Sequence, residues 1–282
     1  MTTHQDIQGR WGVILGVSGG TGAAVADAIA KDPGLNVFGL HRGRYQDRAD
    51  DIAKTITAHG RRAEIHKGDA GTWQGAQDGA KQLLELAGPR SVHFFMHSIA
   101  CASVGDFTGE GSFHPRQVEK TFDAMAHSFI YWTQAMLELD LLAPGARILA
   151  LTNPLDDTLL HNTGLISASK AALEVYVRHL AMELGSKGHR VNMLKFGTVM
   201  TPALKHVYSP QALHELEENH KRMIPAGRMC TVEEVARFIS ILCGEGVDWF
   251  NGALIDFSGG MTIRLLDLVL NEGPSGTSEG TT

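Results

Sequence analysis

Short apolar runs alternate with longer stretches in which apolar residues recur every three or four positions, nearly from one end of the chain to the other. Runs of the first kind predict strands at 11–17, 36–41, 62–66, 92–97, 147–152, 190–196 and 253–256. Stretches of the second kind predict helices at 22–31, 47–59, 72–87, 115–139, 164–186 and 231–243. Near-continuous Val/Ile/Leu strands are buried on both faces, which calls for a parallel sheet covered by helices. Strict strand–helix alternation predicts an α/β fold with one doubly wound parallel sheet and helices on both faces. No repeat or linker divides the chain, so residues 1–270 are expected to form a single domain. Two segments depart from the rhythm. Residues 201–225 are charged and poor in apolar anchors, and read as a substrate cap or a solvated surface helix. Residues 271–282, rich in Gly, Ser and Thr, cannot bury enough apolar area to order and are expected to be a flexible C-terminal tail.

At 282 residues the chain is long enough for a substantial core, and its 43% hydrophobic content is ordinary for an enzyme. A net charge of −6 argues against a nucleic-acid partner, which needs a concentrated basic face. No apolar run approaches a membrane span and the first residues lack a secretory pattern, so no membrane partner is expected. Cys101, Cys230 and Cys243 lack paired spacing and read as buried thiols of a reducing, cytoplasmic protein. Fourteen histidines invite a metal site. His93 and His97 share a strand face without a third ligand nearby, and His206, His214 and His220 lie in a polar helical stretch. No metal is expected, because ligand sets cluster more tightly.

Chemistry begins where the first strand meets an alanine-rich helix, in Gly16-Val17-Ser18-Gly19-Gly20-Thr21-Gly22. Such a loop lets main chain approach a pyrophosphate, while the helix start offers free N–H groups and a positive dipole end. Glycine at any strand–helix turn can also serve only φ > 0. In dinucleotide folds an acidic residue at the end of the second strand holds the adenosine ribose, and a basic one accommodates a 2′-phosphate. Here that position is His41, followed by Arg42 and, close by, Arg44. A guanidinium fork suits a phosphate dianion, so NADP(H) is preferred over NAD(H), with a merely basic solvent loop as the alternative. After the third strand, Asp69 in Gly68-Asp69-Ala70 could accept from the adenine amino group or simply cap the following helix.

These parts fall in an order that resembles the short-chain dehydrogenase/reductase family, from roughly residue 9 to 263, with a Rossmann-type sheet. Met96-His97-Ser98-Ile99-Ala100 is similar to the strand end of the family's enoyl-acyl-carrier-protein reductase branch. Lys170, in Ser167-Ala168-Ser169-Lys170-Ala171-Ala172-Leu173, resembles the active-site helix lysine. Gly197-Thr198-Val199-Met200-Thr201-Pro202 resembles the segment that closes over the nicotinamide, although Phe196 stands where proline is usual. Ser258-Gly259-Gly260 matches the family's final turn. The resemblance implies cofactor contacts from Gly16, Ser18, Gly19, Gly20, Gly22, His41, Arg42, Asp69, Ala70, His97, Ser98, Ile99, Lys170, Gly197, Thr198, Val199 and Thr201. It also implies a homodimer or homotetramer through the helices at 115–139 and 164–186, whose apolar stripes equally suit an ordinary core.

The family's catalytic tyrosine is missing. The two positions that carry it in the family, four and seven residues before the lysine, are Ile166 and Thr163, and the helix asparagine falls near Met125. The remaining catalytic candidates are Lys170, Thr152 at the end of the fifth strand, His161 and Thr163, with Asn153 in the same loop. Lys170 is expected to hold the nicotinamide ribose and place positive charge beside an oxyanion. His161 has the side chain best suited to proton transfer near neutral pH, or is a surface residue. Ketone reduction demands an acid as hydride arrives, whereas enoyl thioester reduction makes an enolate that can later take a proton from water. The expected function is therefore NADP(H)-dependent, enoyl-reductase-like chemistry on a small-molecule or carrier-bound acyl substrate. The alternative is a redox-inactive binding or regulatory subunit that keeps the fold.

Overall fold

The computed structural model describes residues 9–43, 46–154, 160–201, 204–205, 209–261 and 263. Arg44, Pro202, His206, most of the loop before Thr163 and the C-terminal tail lie outside the described residues. Seven parallel strands form one sheet in the order β3-β2-β1-β4-β5-β6-β7. They are β1 (Trp11–Leu15), β2 (Asn36–His41), β3 (Ala63–Lys67), β4 (Val92–His97), β5 (Leu142–Thr152), β6 (Arg190–Phe196) and β7 (Leu254–Phe257). The helices are α1 (Gly20–Lys31), α2 (Gln46–Ala58), α3 (Trp73–Ala87), α4 (Pro115–Phe122), α5 (Ser128–Glu138), α6 (Gly164–Gly185), α7 (Pro210–Met223) and α8 (Val232–Leu242). The expected doubly wound α/β architecture is the observed one.

Strand side chains alternate between the two faces, and each face has its own apolar layer. Val13, Leu15 and Phe95 pack with Ala76 and Leu83 of α3, Phe129 and Trp132 of α5, and Leu173 and Val177 of α6. Ile14, Phe94 and Met96 face the other way, onto Val25 and Ile29 of α1, Ile52 and Ile56 of α2, and Val235 and Ile239 of α8. Burial on both sides explains why β1 and β4 read as uninterrupted apolar runs. The strand order reverses between β1 and β4, and there Leu15 pairs with both Leu40 and His97. At such a switch point the neighbouring loops diverge and leave a crevice beyond the carboxyl ends of the strands.

Three local features depart from expectation. The helix predicted over 115–139 is broken by a π-helical segment, Asp123–His127. The wider turn carries an extra residue, which lets Thr121 before it, Met125 within it and Phe129, Trp132 and Met136 after it all be buried. Asp69 does not cap α3: the Thr72 hydroxyl accepts from the Gly75 N–H at 3.0 Å, and Asp69 Oδ1 instead accepts from Gly71 N–H at 3.0 Å. The three thiols are unpaired but only half-buried: Cys230 and Cys243 pack at the margin of the layer around α1 and α8, and Cys101 lines the cavity at the sheet edge. Within 201–225 the structure places a helix, α7, with Ser209 as N-cap and basic residues in its last turn. Among the described residues, no helix is long and apolar enough to cross a membrane.

Candidate active site

The crevice at the switch point holds a cavity of about 280 Å³. One wall is the turn from β1 into α1, with Gly16, Ser18, Gly19, Gly20, Thr21 and Gly22. Gly16 has φ +86°, and a Cβ there would overlap the Ser98 carbonyl oxygen, so only glycine fits between the two central strands. Gly19 caps α1 without any side-chain hydrogen bond, and no acidic residue stands in the first turn. The opening N–H groups of α1 therefore face the cavity wall with a positive dipole end and no built-in acceptor.

At the second-strand end the cavity is lined by Leu40, His41 and Arg42. Gly43 N–H donates to His41 Nδ1 at 3.1 Å, which assigns the ring proton to Nε2. That Nε2 is buried and finds no partner among the described residues. Burial holds the His41 pKa below its ordinary value, with Lys67 acting in the same direction and Asp50 against it. The His41 N–H has no access to the open cavity, so the exposed Arg42 guanidinium is the group at this strand end that could meet a phosphate oxygen, and the wall fits a dinucleotide.

Asp69 and Ala70 line the next stretch, and Ser98, Ile99, Ala100, Cys101, Ala124 and Thr201 close the far end. The sequence reading thus places the glycine turn, His41, Arg42, Asp69, Ala70, Ser98, Ile99 and Thr201 together at one cavity. Thr21, Leu40, Gly68, Gly71, Ala100, Cys101 and Ala124 also line it and were not among the expected contacts. Cys101 follows directly on the Ser98-Ile99-Ala100 strand end and was legible from that adjacency. Ala124 was not, since its presentation depends on the π turn.

The remaining candidates do not line the cavity. Lys170 is buried on α6, and its Nζ donates to the Leu151 carbonyl at 2.7 Å. His97 is fully buried, and its Nε2–H is accepted at 2.8 Å by the Ser128 hydroxyl, which itself donates to Ala124 O at 2.9 Å. Burial, and then the Lys170 charge, push the His97 pKa down to about 3. His97 is therefore a neutral core residue whose side chain is turned beneath the cavity. Thr152 is buried, with its hydroxyl 3.4 Å from Asn153 O. Thr163 spends its proton on Leu160 O at 2.7 Å, and His161 is exposed. Gly197 and Val199 are buried in the β6 turn. Thr198 Oγ1 donates to His220 Nε2 at 2.9 Å, while His220 Nδ1–H donates to Leu216 O, so helix α7 is pinned to the turn after β6.

A glycine turn, an uncapped helix start and a polar second-strand end at a sheet switch point define a dinucleotide-binding protein of the short-chain dehydrogenase/reductase class. The chain belongs to the enoyl-(acyl carrier protein) reductase family, whose sequence profile it matches over residues 16–262. It is 26% identical over 254 residues to 1-cyclohexenylcarbonyl-CoA reductase of Streptomyces collinus, covering 89% of this chain and 86% of that protein. It is also 26% identical over 260 residues to the NADH enoyl-[acyl-carrier-protein] reductase of Aquifex aeolicus, covering 91% and 93% of the two chains. In fold it is similar to a short-chain dehydrogenase from Burkholderia cenocepacia solved with NADP, with TM-score 0.78 and 23% identity over 90% of this chain and 98% of that one. Family membership makes the chain an oxidoreductase of the short-chain type.

Proposed function

We propose that the protein is an NADPH-dependent reductase of a conjugated acyl thioester, acting without the tyrosine of its relatives. The observation that carries this reading is the pairing of two ends in one cavity. One end is lined by His41 and presents the exposed Arg42 guanidinium, and the other is walled by Ile99, Ala100, Cys101 and Ala124 with no acid among them. Bound NADPH would supply the hydride. The main-chain N–H groups of the Gly16–Gly22 turn and the start of α1 would hold its diphosphate, and Arg42, beside His41, its 2′-phosphate. Thr201 closes the opposite rim, with its hydroxyl accepting from Leu204 N–H at 3.2 Å. Hydride arriving at the β-carbon of an enoyl thioester leaves an enolate, whose α-carbon takes its proton from water. The Lys170 ammonium, lodged at the end of β5, stabilises that negative charge from the protein side.

A second reading is a binding subunit without redox turnover, and one observation favours it: the Lys170 ammonium is engaged by Leu151 O and is not part of the cavity wall. Oxidation of NADPH in the presence of crotonyl-CoA separates the two. Steady consumption that falls about a hundredfold in Lys170→Ala, the size of one lost charge-stabilising donor, supports the reductase. No consumption alongside firm NADPH binding supports the subunit. We further propose self-association through α4–α5 and α6, where Val175 and Met182 are exposed on the outer face of α6. Three unpaired thiols support a reducing, cytoplasmic setting for this work.

A further inference from the structure

We infer that the 2′-phosphate seat is a cradle of three cations, in which Lys67 and Arg48 join Arg42 in setting the cofactor preference. The inference rests on the NADPH reading above and extends it to two further elements, the end of β3 and the first turn of α2. Strand pairing makes the first link. β2 and β3 run parallel with His41 opposite Lys67, and Gly68 N–H donates to His41 O at 2.9 Å. Both strand ends therefore open on one rim, where His41, Arg42 and Gly68 line the cavity. The exposed Lys67 side chain lies over Gly43, the residue after Arg42. A Cβ on Gly43 would stand 2.8 Å from Lys67 Cε and 3.4 Å from its Nζ, so the bare Cα is what admits the ammonium beside the Arg42 main chain.

Arg48 comes to the same cavity by way of the glycine turn. Its Nη1 donates to Ser18 O at 3.4 Å, and Ser18 lines the cavity with Arg42. Helix α2 gives no local reason for this choice, because a helix dipole disfavours a cation in the first turn. Charges near the rim are felt at His41: burial lowers its pKa, Asp50 works against that and Lys67 lowers it again. With Asp50 this close, Arg42 alone would leave the rim near neutrality. A phosphate monoester carries up to about two negative charges near neutral pH, and three cations drawn from β2, β3 and α2 meet that demand. Among the described residues neither Arg42 nor Lys67 is in an ion pair, so both charges are available to a ligand.

The test titrates NADPH and NADH by calorimetry into the full-length wild type, Lys67→Met, Lys67→Arg, Arg48→Met and the double methionine variant, at low and at high salt. Lys67→Met should bind NADPH about fivefold more weakly, the size of one solvent-exposed charge contact, with NADH affinity unchanged. Arg48→Met should lose a similar factor, and the double variant should combine the two losses. Lys67→Arg, which keeps the charge, should restore the preference. Salt should narrow the gap between the two nucleotides in the wild type more than in the double variant, because screened charges carry the difference. Constant NADH affinity reports that the rest of the cavity is intact. If the wild type prefers NADPH and both methionine variants keep the whole preference, this inference falls and the NADPH reading stands. Equal weakening toward both nucleotides in Arg48→Met would make Arg48 a strut of the glycine turn and overturn its place in the cradle. A wild type that binds NADPH and NADH alike overturns the NADPH reading and this inference together.

Discussion

Individual side chains decide whether this crevice can hold charge. His97 lies between the sheet and α5 without solvent access, so its protonation would place a second cation beside the Lys170 ammonium. In the unfolded chain the same imidazole takes up a proton near pH 6.5. Because its folded pKa is depressed to about 3, the unfolded state binds more protons throughout the interval between. Stability contributed by the neutral ring is thus complete above pH 6.5 and is lost as the pH falls. One such group costs at most about 1.4 kcal/mol per pH unit across that window. His41, His93 and His189 are shifted the same way by burial and add to the slope. Urea unfolding of wild type and His97→Gln at pH 7, 6 and 5 measures the His97 share, and the variant should show the shallower decline. Parallel declines would mean that His97 already titrates normally in the fold.

At the scale of elements, the helices carry both the fold and its surprises. The alternation of apolar runs placed six of the seven strands within a residue or two and the fifth by its C-terminal half only, since β5 begins five residues earlier, at Leu142, across Pro144 and Gly145. The glycine turn, His41 and Arg42 were legible because they sit on short, local strand–helix junctions. The π turn at Asp123–His127 was not legible, since a one-residue insertion barely disturbs an apolar stripe recurring every three or four positions. Nor was the seat of Lys170 against Leu151 O, or that of Phe107 on Gly164. Those contacts join elements far apart in the chain, and spacing within one element carries no record of them. Helix α6 also has an outward face that the sheet does not use. Met182, 71% exposed there, should lie in the contact between subunits. Met182→Glu would place a charge in that contact, and sedimentation should show a shift toward monomer at micromolar protein. A wild type that sediments as a monomer would remove the interface.

For the whole molecule, function follows from the reversal of strand order between β1 and β4. That reversal opens one crevice. Chain segments separated by more than a hundred residues line it: the first turn of α1, the ends of β2 and β4, the π segment and Thr201. Helix α7 is fastened to the turn after β6 through His220 and Thr198. The central claim is that this crevice receives a phosphorylated dinucleotide with its 2′-phosphate at Arg42, beside His41. Calorimetric titration of NADPH and NADH into wild type and Arg42→Glu tests it most directly. NADPH should bind the wild type at least about tenfold more tightly than NADH, and Arg42→Glu should abolish that preference by replacing attraction with repulsion. Failure of both nucleotides to bind, or a preference indifferent to the charge at position 42, would contradict the account.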